Sequence, residues 1–284
     1  MVAREQARKN REVIKLPQYA WTDDPVIRRF RFCNINREHD AVTRWIDVHV
    51  RRPLFHHPKA DLVLNLFLAR VFNHPPSLQA LGLVEFGRGA LEAACIRMAK
   101  YQASGAKLMR GAYMMGAHGP KNKGVNVVDY YFRIAGKLLD HYTTFNQAEC
   151  LSTVAGILRQ CEGIGSFVAN QVVTDLRYTP QFELAPDWET FITAGPGTRR
   201  GLNHIHGRPV RQAVPEEQAT TEVLELRDML VRVDQIRWQG IADCLHDPNN
   251  VSNSLCEFDK YVRGLNILTG HETDGMSRMR VYQP

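Results

Sequence analysis

The sequence predicts an all-α, or nearly all-α, fold. Apolar residues recur at helical spacing through most of the chain, no run of strict alternation marks a strand, and no βαβ alternation is present. With 284 residues the chain is long enough to bury a sizeable core. In chain order, Asp24 reads as an N-cap with Pro25 at the first helical position, and one or two helices are expected from Pro25 to Val50. Asp61 to Phe72 has apolar residues at 62, 63, 66, 67, 68 and 71, the pattern of a well-buried helix, and His74-Pro75-Pro76 stops it. Gly89 to Gln102 is amphipathic, and Gly116 to Gly124 is a loop by composition. Val125 to Tyr142, Ala148 to Gln160 and Ser166 to Tyr178 read as further helices, and Gly195-Pro196-Gly197 as a helix start. Glu222 to Ile241 is a long charged helix, and Asn250 to Leu265 is the last. The expected organisation is a basic arm over 1–24, one helical domain over 25–265 and a loose tail over 266–284.

Composition excludes several classes. Hydrophobic residues make up 44% and charged residues 23%, ordinary values for a globular protein. No window reaches the ~18 consecutive apolar residues of a membrane span. Met1 to Lys15 is polar and basic, without the apolar core of a signal peptide, so a cytoplasmic protein with reduced thiols is expected. No cysteine pair has C-x-x-C spacing, and His204 and His206 are two apart, so no metal site is expected. Lys+Arg total 36 against 30 Asp+Glu, a net of +6. The excess is concentrated. Arg97 to Lys123 contains Arg97, Lys100, Lys107, Arg110, Lys121 and Lys123 without an acid, and Phe191 to Pro215 contains Arg199, Arg200, Arg208 and Arg211 without an acid. Such blocks point to a polyanion, most simply nucleic acid or a phosphate-bearing substrate.

The segment around 148–178 carries the sharpest local signal. An apolar helix ends at Cys161, Glu162-Gly163-Ile164-Gly165 follows, and a second helix starts at Ser166. Two helices joined by G-I-G read as a helix–hairpin–helix, whose turn aims backbone amides and a helix dipole at an anion such as a DNA phosphate. Gly163, Gly165, Ser166, Lys121 and Lys123 are the expected DNA contacts, with a positive φ expected at Gly165.

Ile164 to Asn170 resembles the hairpin of the helix–hairpin–helix DNA glycosylases, so the expected fold is a glycosylase-like helical domain. Phe167 stands where strand-cleaving members carry lysine. Three other stretches resemble the α-glutamyl/putrescinyl thymine pyrophosphorylases of bacteriophage. They are Arg29-Phe30-Arg31-Phe32-Cys33-Asn34-Ile35-Asn36-Arg37-Glu38-His39-Asp40 with Val42 to Ile46, then Gly195 to Asn203, then Ser254 to Tyr261. The resemblance implies a transferase acting on double-stranded DNA with a modified thymine in the infected host cell. It would displace pyrophosphate from 5-(pyrophosphoryloxymethyl)uracil and attach the nitrogen of a free amino acid, glycine among them, or of a polyamine. No cofactor is implied, although Mg²⁺ could accompany pyrophosphate without a dedicated cage. A monofunctional glycosylase and a non-enzymatic DNA-binding module are the alternatives.

Candidate site residues follow. Asp187 and Asp175 are the acids that the glycosylase resemblance brings forward, each also readable structurally: Asp187 as the cap of a helix from Trp188, Asp175 as an ion-pair partner. Gln171 lies one turn before Asp175 and could read a uracil edge. Asn36, Arg37 and Asp40 would line the pocket, with Arg37, Asp40 and Arg44 on one helix face, where pairing of Asp40 with either arginine is the structural alternative. Arg199 and Arg200 would clamp pyrophosphate or hold the DNA backbone. Glu257, Asp259 and Lys260 complete the set, with a solvated helix surface as the alternative. Tyr113 would stack on a flipped base or sit in the core.

Overall fold

The structure is a computed structural model that describes residues 1–109, 127–237, 241–271, 279 and 281. It is all-α. Its helices are α1 (Val2–Arg8), α2 (Pro25–Arg29), α3 (Ala41–Ile46), α4 (Lys59–Phe72), α5 (Pro75–Leu81), α6 (Arg88–Ala103), α7 (Val127–Leu138), α8 (Tyr142–Gln147), α9 (Leu151–Gln160), α10 (Ser166–Leu176), α11 (Pro196–Ile205), α12 (Glu216–Arg237), α13 (Ala242–Leu245) and α14 (Pro248–Thr269). Among the described residues, β pairing is limited to an isolated bridge between Phe30 and Val281.

Local chemistry accounts for the helix ends. Asp24 caps α2 by accepting the N–H groups of Val26 and Ile27, with Pro25 in the first turn. Asp247 caps α14 in the same way, accepting from Asn249. The prolines after α4 do more than stop it. Asn73, at φ 45°, closes α4, and Pro75 begins α5. The expected run from Pro25 to Val50 is broken: residues 30–36 leave the helical path, Arg37–His39 make a 3₁₀ turn, and the helix resumes at Ala41. The last helix continues past the expected boundary at 265 and ends at Gly270, φ 77°. The loop read at 116–124 lies outside the described residues, as does most of the tail.

The chain divides into two compact units, 1–40 with 192–284 and 41–191, so the stretch read as one domain contributes to both. The second unit is built on α4, which buries every residue except Lys59 and Asp61. Each fully buried Leu, Val or Phe contributes about 1.5–3 kcal/mol. The two polar residues that interrupt this stretch are satisfied. Asn65 donates to Val84 O at 2.8 Å and accepts its N–H at 2.9 Å, and Arg70 pairs with Asp175 of α10. The helical hairpin α9–α10 belongs to this unit and buries Val154, Leu158, Ile164, Val168 and Val172 in its core. The first unit has a separate core that includes Ile35, Leu202, Val223, Val251 and Leu255.

Candidate functional site

The chemistry-bearing residues of the first unit gather around α14. On this helix Asn250, Asn253, Ser254, Glu257, Lys260 and Tyr261 share one face, at offsets 0, 3, 4, 7, 10 and 11. Ser252, Cys256, Asp259 and Arg263 lie on the opposite face. Both faces are covered, and Asn249, Asn250, Ser252, Ser254, Glu257 and Asp259 are buried. A polar stripe inside a fold must be hydrogen-bonded or ion-paired. Each face meets that requirement with a different partner.

The segment 31–40 covers the Glu257 face. Glu257 Oε2 accepts the Cys33 N–H at 3.0 Å and lies 3.4 Å from Lys260 Nζ. Lys260 also donates to Arg31 O and sits 5.0 Å above the Phe32 ring. Asn253 donates to Asn34 O at 3.2 Å, and Asn250 Oδ1 accepts the Arg37 N–H at 3.3 Å. Within the segment, Asn36 caps the 3₁₀ turn through Glu38 N at 2.8 Å, and Asp40 holds the Asn34 amide at 3.0 Å. From α1, Arg4 donates to Ser254 Oγ at 3.0 Å. Burial lowers the pKa of Arg4, while the negative charges of Glu257, Asp40 and Glu5 oppose that shift; a guanidinium stays charged regardless. The result is a cluster of two carboxylates, Glu257 and Asp40, with two cations, Arg4 and Lys260, beside which the Arg37 backbone is fixed on Asn250.

The other face of α14 meets α11. A Cβ on Gly197 would lie 2.3 Å from Cys256 Sγ, and one on Gly201 would lie 2.3 Å from Leu255 O. The two glycines, four apart, let the helix backbones approach closely. That approach delivers Arg200 to Asp259, Nε to Oδ2 at 3.0 Å, with His204 at 3.4 Å and Arg263 at 3.4 Å. Asp259 is fully buried among these groups. Burial, with Glu257 and Asp259 nearby, pushes the Cys256 thiol up to about 11, so it is no thiolate nucleophile at neutral pH. Among the described residues, no group of three or more His, Cys, Asp or Glu is placed to hold a metal ion.

A family model for the helical domain of 5-hmdU DNA kinase matches residues 1–267. The chain belongs to that family. Among curated relatives, the 5-hmdU DNA kinase of Bacillus phage SP10 is 26% identical over 212 residues, which is 69% of this chain and 33% of the relative. The chain therefore spans about one third of the length of that relative. No solved structure matches.

Two of the three motif stretches, 29–40 and 254–261, meet on the Glu257 face, and the third, 195–203, packs on the opposite face. Glu257 is thereby brought to Lys260 and the Cys33 N–H, and the Arg37 N–H to Asn250, while Asn36 and Asp40 make hydrogen bonds within their own segment. Glu257 and Asp259 are not solvated surface, which corrects one reading made for them: both are buried. Arg37, Asp40 and Arg44 share no helix face, because Arg37 and Asp40 precede the start of α3. Arg199 and Arg200 part company. Arg199 donates to Ala194 O at 2.9 Å and Val214 O at 2.6 Å and pairs with Glu216, so its guanidinium is committed within the protein.

The remaining candidates lie in the second unit. Asp175 is fully buried and ion-paired with Arg70, whose guanidinium also donates to Thr43 Oγ1 at 3.1 Å and Asn73 Oδ1 at 3.3 Å. Gln171 is buried on the same helix. Asp187 accepts the N–H groups of Leu151 and Ser152, each at 2.8 Å, so it caps α9 across the fold rather than a helix at Trp188. In the hairpin turn, Gly163, Gly165 and Ser166 are exposed. The positive φ falls on Gly163, at 95°, and Gly165 has an ordinary φ of −83°. Phe167, at the position where strand-cleaving glycosylases carry lysine, is 38% exposed. Glu162 in the turn is paired with Lys137 at 2.6 Å, which holds its carboxyl below the usual range. Lys121, Lys123 and Tyr113 lie outside the described residues.

Arg4, Asn34, Asn250, Asn253 and Ser254 were not singled out from the sequence. Four of them carry a signal that could have found them. Asn250, Asn253 and Ser254 continue the spacing of Glu257, and Asn34 sits inside the first motif. Arg4 carries none, because its contact with Ser254 spans 250 residues of chain.

Proposed function

We propose that this chain modifies 5-hydroxymethyluracil-derived bases in phage DNA by amine transfer. It displaces pyrophosphate from 5-(pyrophosphoryloxymethyl)uracil. The observation that carries this reading is the convergence of 31–40 with the Glu257 face of α14, which gathers the carboxylates Glu257 and Asp40 with the cations Lys260 and Arg4. The reaction needs both kinds of group. The amine lone pair forms a C–N bond to the 5-methylene carbon as the C–O bond breaks, and that electron pair leaves with pyrophosphate. Arg37 and Lys260 stabilise the departing anion. Glu257 takes the proton released by the new ammonium group, and Asp40 orients the segment through Asn34. Base extrusion from the duplex costs a few kcal/mol, and backbone contacts offset it. The α9–α10 turn, with Gly163, Gly165 and Ser166, is our candidate for a phosphate contact. Arg200 and Asp259 hold α11 on α14, while Asp175 and Asp187 act in folding.

A second reading comes from the relative's name: phosphoryl transfer to the hydroxymethyl oxygen of 5-hmdU in DNA. Against its residing here, the chain has no G-x-x-x-x-G-K-[ST] stretch for a nucleotide. One experiment separates the readings. Duplex DNA with 5-(pyrophosphoryloxymethyl)uracil is incubated with the chain, amino acids and polyamines; 5-hmdU DNA is incubated with ATP in parallel. Nucleosides are then weighed by mass spectrometry. Amine adducts with released pyrophosphate support transfer. A phosphorylated hydroxymethyl group supports the kinase reading, and abasic sites support base excision. Unaltered DNA in both arms refutes all three.

A further inference from the structure

Arg4 has no role in the steps above, yet it is built into the same cluster. It reaches α14 from α1 and donates Nη2 to Ser254 Oγ at 3.0 Å. Ser254 precedes Glu257 by one turn on the same face, and the charges of Glu257 and Asp40, with that of Glu5 on its own helix, act on Arg4. The Nε of Arg4 is buried and has no hydrogen-bond partner among the described residues. Nε and Nη2 form one edge of the guanidinium fork, the edge that matches both oxygens of a carboxylate. We propose that Arg4 receives a carboxylate, so that the amine used by this site is an amino acid and not a polyamine.

The proposal rests on the amine-transfer reading and names its second substrate. An α-amino acid carries an ammonium group and a carboxylate two bonds apart. The ammonium end complements Glu257 and Asp40, and the carboxylate end complements Arg4. A polyamine brings a second cation instead, and beside Arg4 and Lys260 that charge is repelled. Discrimination of this kind comes from the unfavourable contact as much as from the favourable one.

The test uses the full chain and duplex DNA bearing 5-(pyrophosphoryloxymethyl)uracil. Glycine is compared with glycinamide, which keeps the amine and loses the carboxylate, and glutamate is compared with putrescine. The amino acids are expected to show kcat/KM higher by roughly tenfold or more, the scale of one lost charge-assisted contact. Arg4→Gln is expected to collapse the glycine-to-glycinamide ratio through KM, and Arg4→Lys to restore part of it, as a charge without the fork. Equal use of glycine and glycinamide by the parent chain, or a preference for putrescine, overturns the proposal. So does an Arg4→Gln chain that slows both substrates alike, the behaviour of a merely structural arginine. If no amine adds mass to any nucleoside, the transfer reading itself has failed. Equilibrium dialysis with radiolabelled glycine, glutamate and putrescine then decides Arg4. Saturable amino-acid binding that Arg4→Gln removes supports the proposal, and its absence overturns it.

Discussion

Glu257 and Asp175 are both buried acids, and their surroundings give them different work. Glu257 accepts one backbone N–H and shares its face with Lys260 and a loop of polar groups. Glu257→Gln keeps the acceptor for Cys33 N–H but cannot take a proton. Amine transfer should fall by roughly 10²–10⁴-fold, the usual worth of a positioned base, with the helical circular dichroism spectrum retained. Parental turnover in that variant would remove Glu257 from the chemistry. Asp175 faces Arg70 with essentially no solvent around either. Breaking such a pair from one side leaves an uncompensated charge and costs roughly 3–5 kcal/mol. Urea unfolding of Asp175→Asn should show that loss. Asp187→Asn should cost only about 1 kcal/mol, as one weakened cap. Lost activity with unchanged stability at either position would instead point to a glycosylase-type acid.

At the scale of elements, the glycines separate packing from binding. A Cβ on Gly201 would meet the Leu255 carbonyl, a backbone atom that cannot rotate away. Gly201→Ala should therefore push α11 off α14 and destabilise the protein by roughly 1–3 kcal/mol, seen as a lower denaturation midpoint. In the hairpin, a Cβ on Gly165 would meet nothing within 4 Å, whereas one on Gly163 would meet Ile134 at 2.6 Å and sit at a positive φ. Gly165→Val is thus the clean probe of DNA contact: the fold should survive while affinity for any duplex falls. Unchanged affinity would take the hairpin out of the DNA interface. The pairing of α12 with the end of α11 adds a pH signature. Hydrogen bonds from Arg208 hold the Glu222 carboxyl below its ordinary value of 4.5. A depressed carboxylate contributes stability that is complete above the unfolded value and is lost as pH falls through the folded one. Acid titration of unfolding should show a shallower low-pH limb for Glu222→Gln than for the parent chain.

For the whole molecule, charge and core division set the expectations. A net charge of +6 favours a polyanion, and affinity for unmodified duplex should drop linearly in log–log plots against salt. A salt-independent affinity would argue against phosphate contacts. The two units have separate apolar cores, and the one around α4 is the larger. Among the described residues, no helix is long and apolar enough to cross a membrane.

Much was legible in the chain itself, because helix formation is local. The 3.6-residue period marks α4, α9, α10 and α14, and Asp24-Pro25 and Gly195-Pro196 mark helix starts that the structure retains. The motif stretches also contain most of the residues that meet around α14. Partnership was not legible, because it is settled by elements far apart in sequence. Adjacent arginines point to different neighbours, Arg199 to Glu216 and Arg200 to Asp259. Glu257 and Asp259 read as one charged helix surface. Two positions along a helix turn a side chain to the opposite side, and only packing reveals that both sides are covered. Arg4 reads as part of a basic arm until α1 lies beside α14. Local spacing in the chain marks the long helices and the residues that share a face of α14, but not the break at 30–40 that parts Arg37 and Asp40 from Arg44. The tertiary structure decided which polar face is buried, because that depends on what a distant segment brings to cover it.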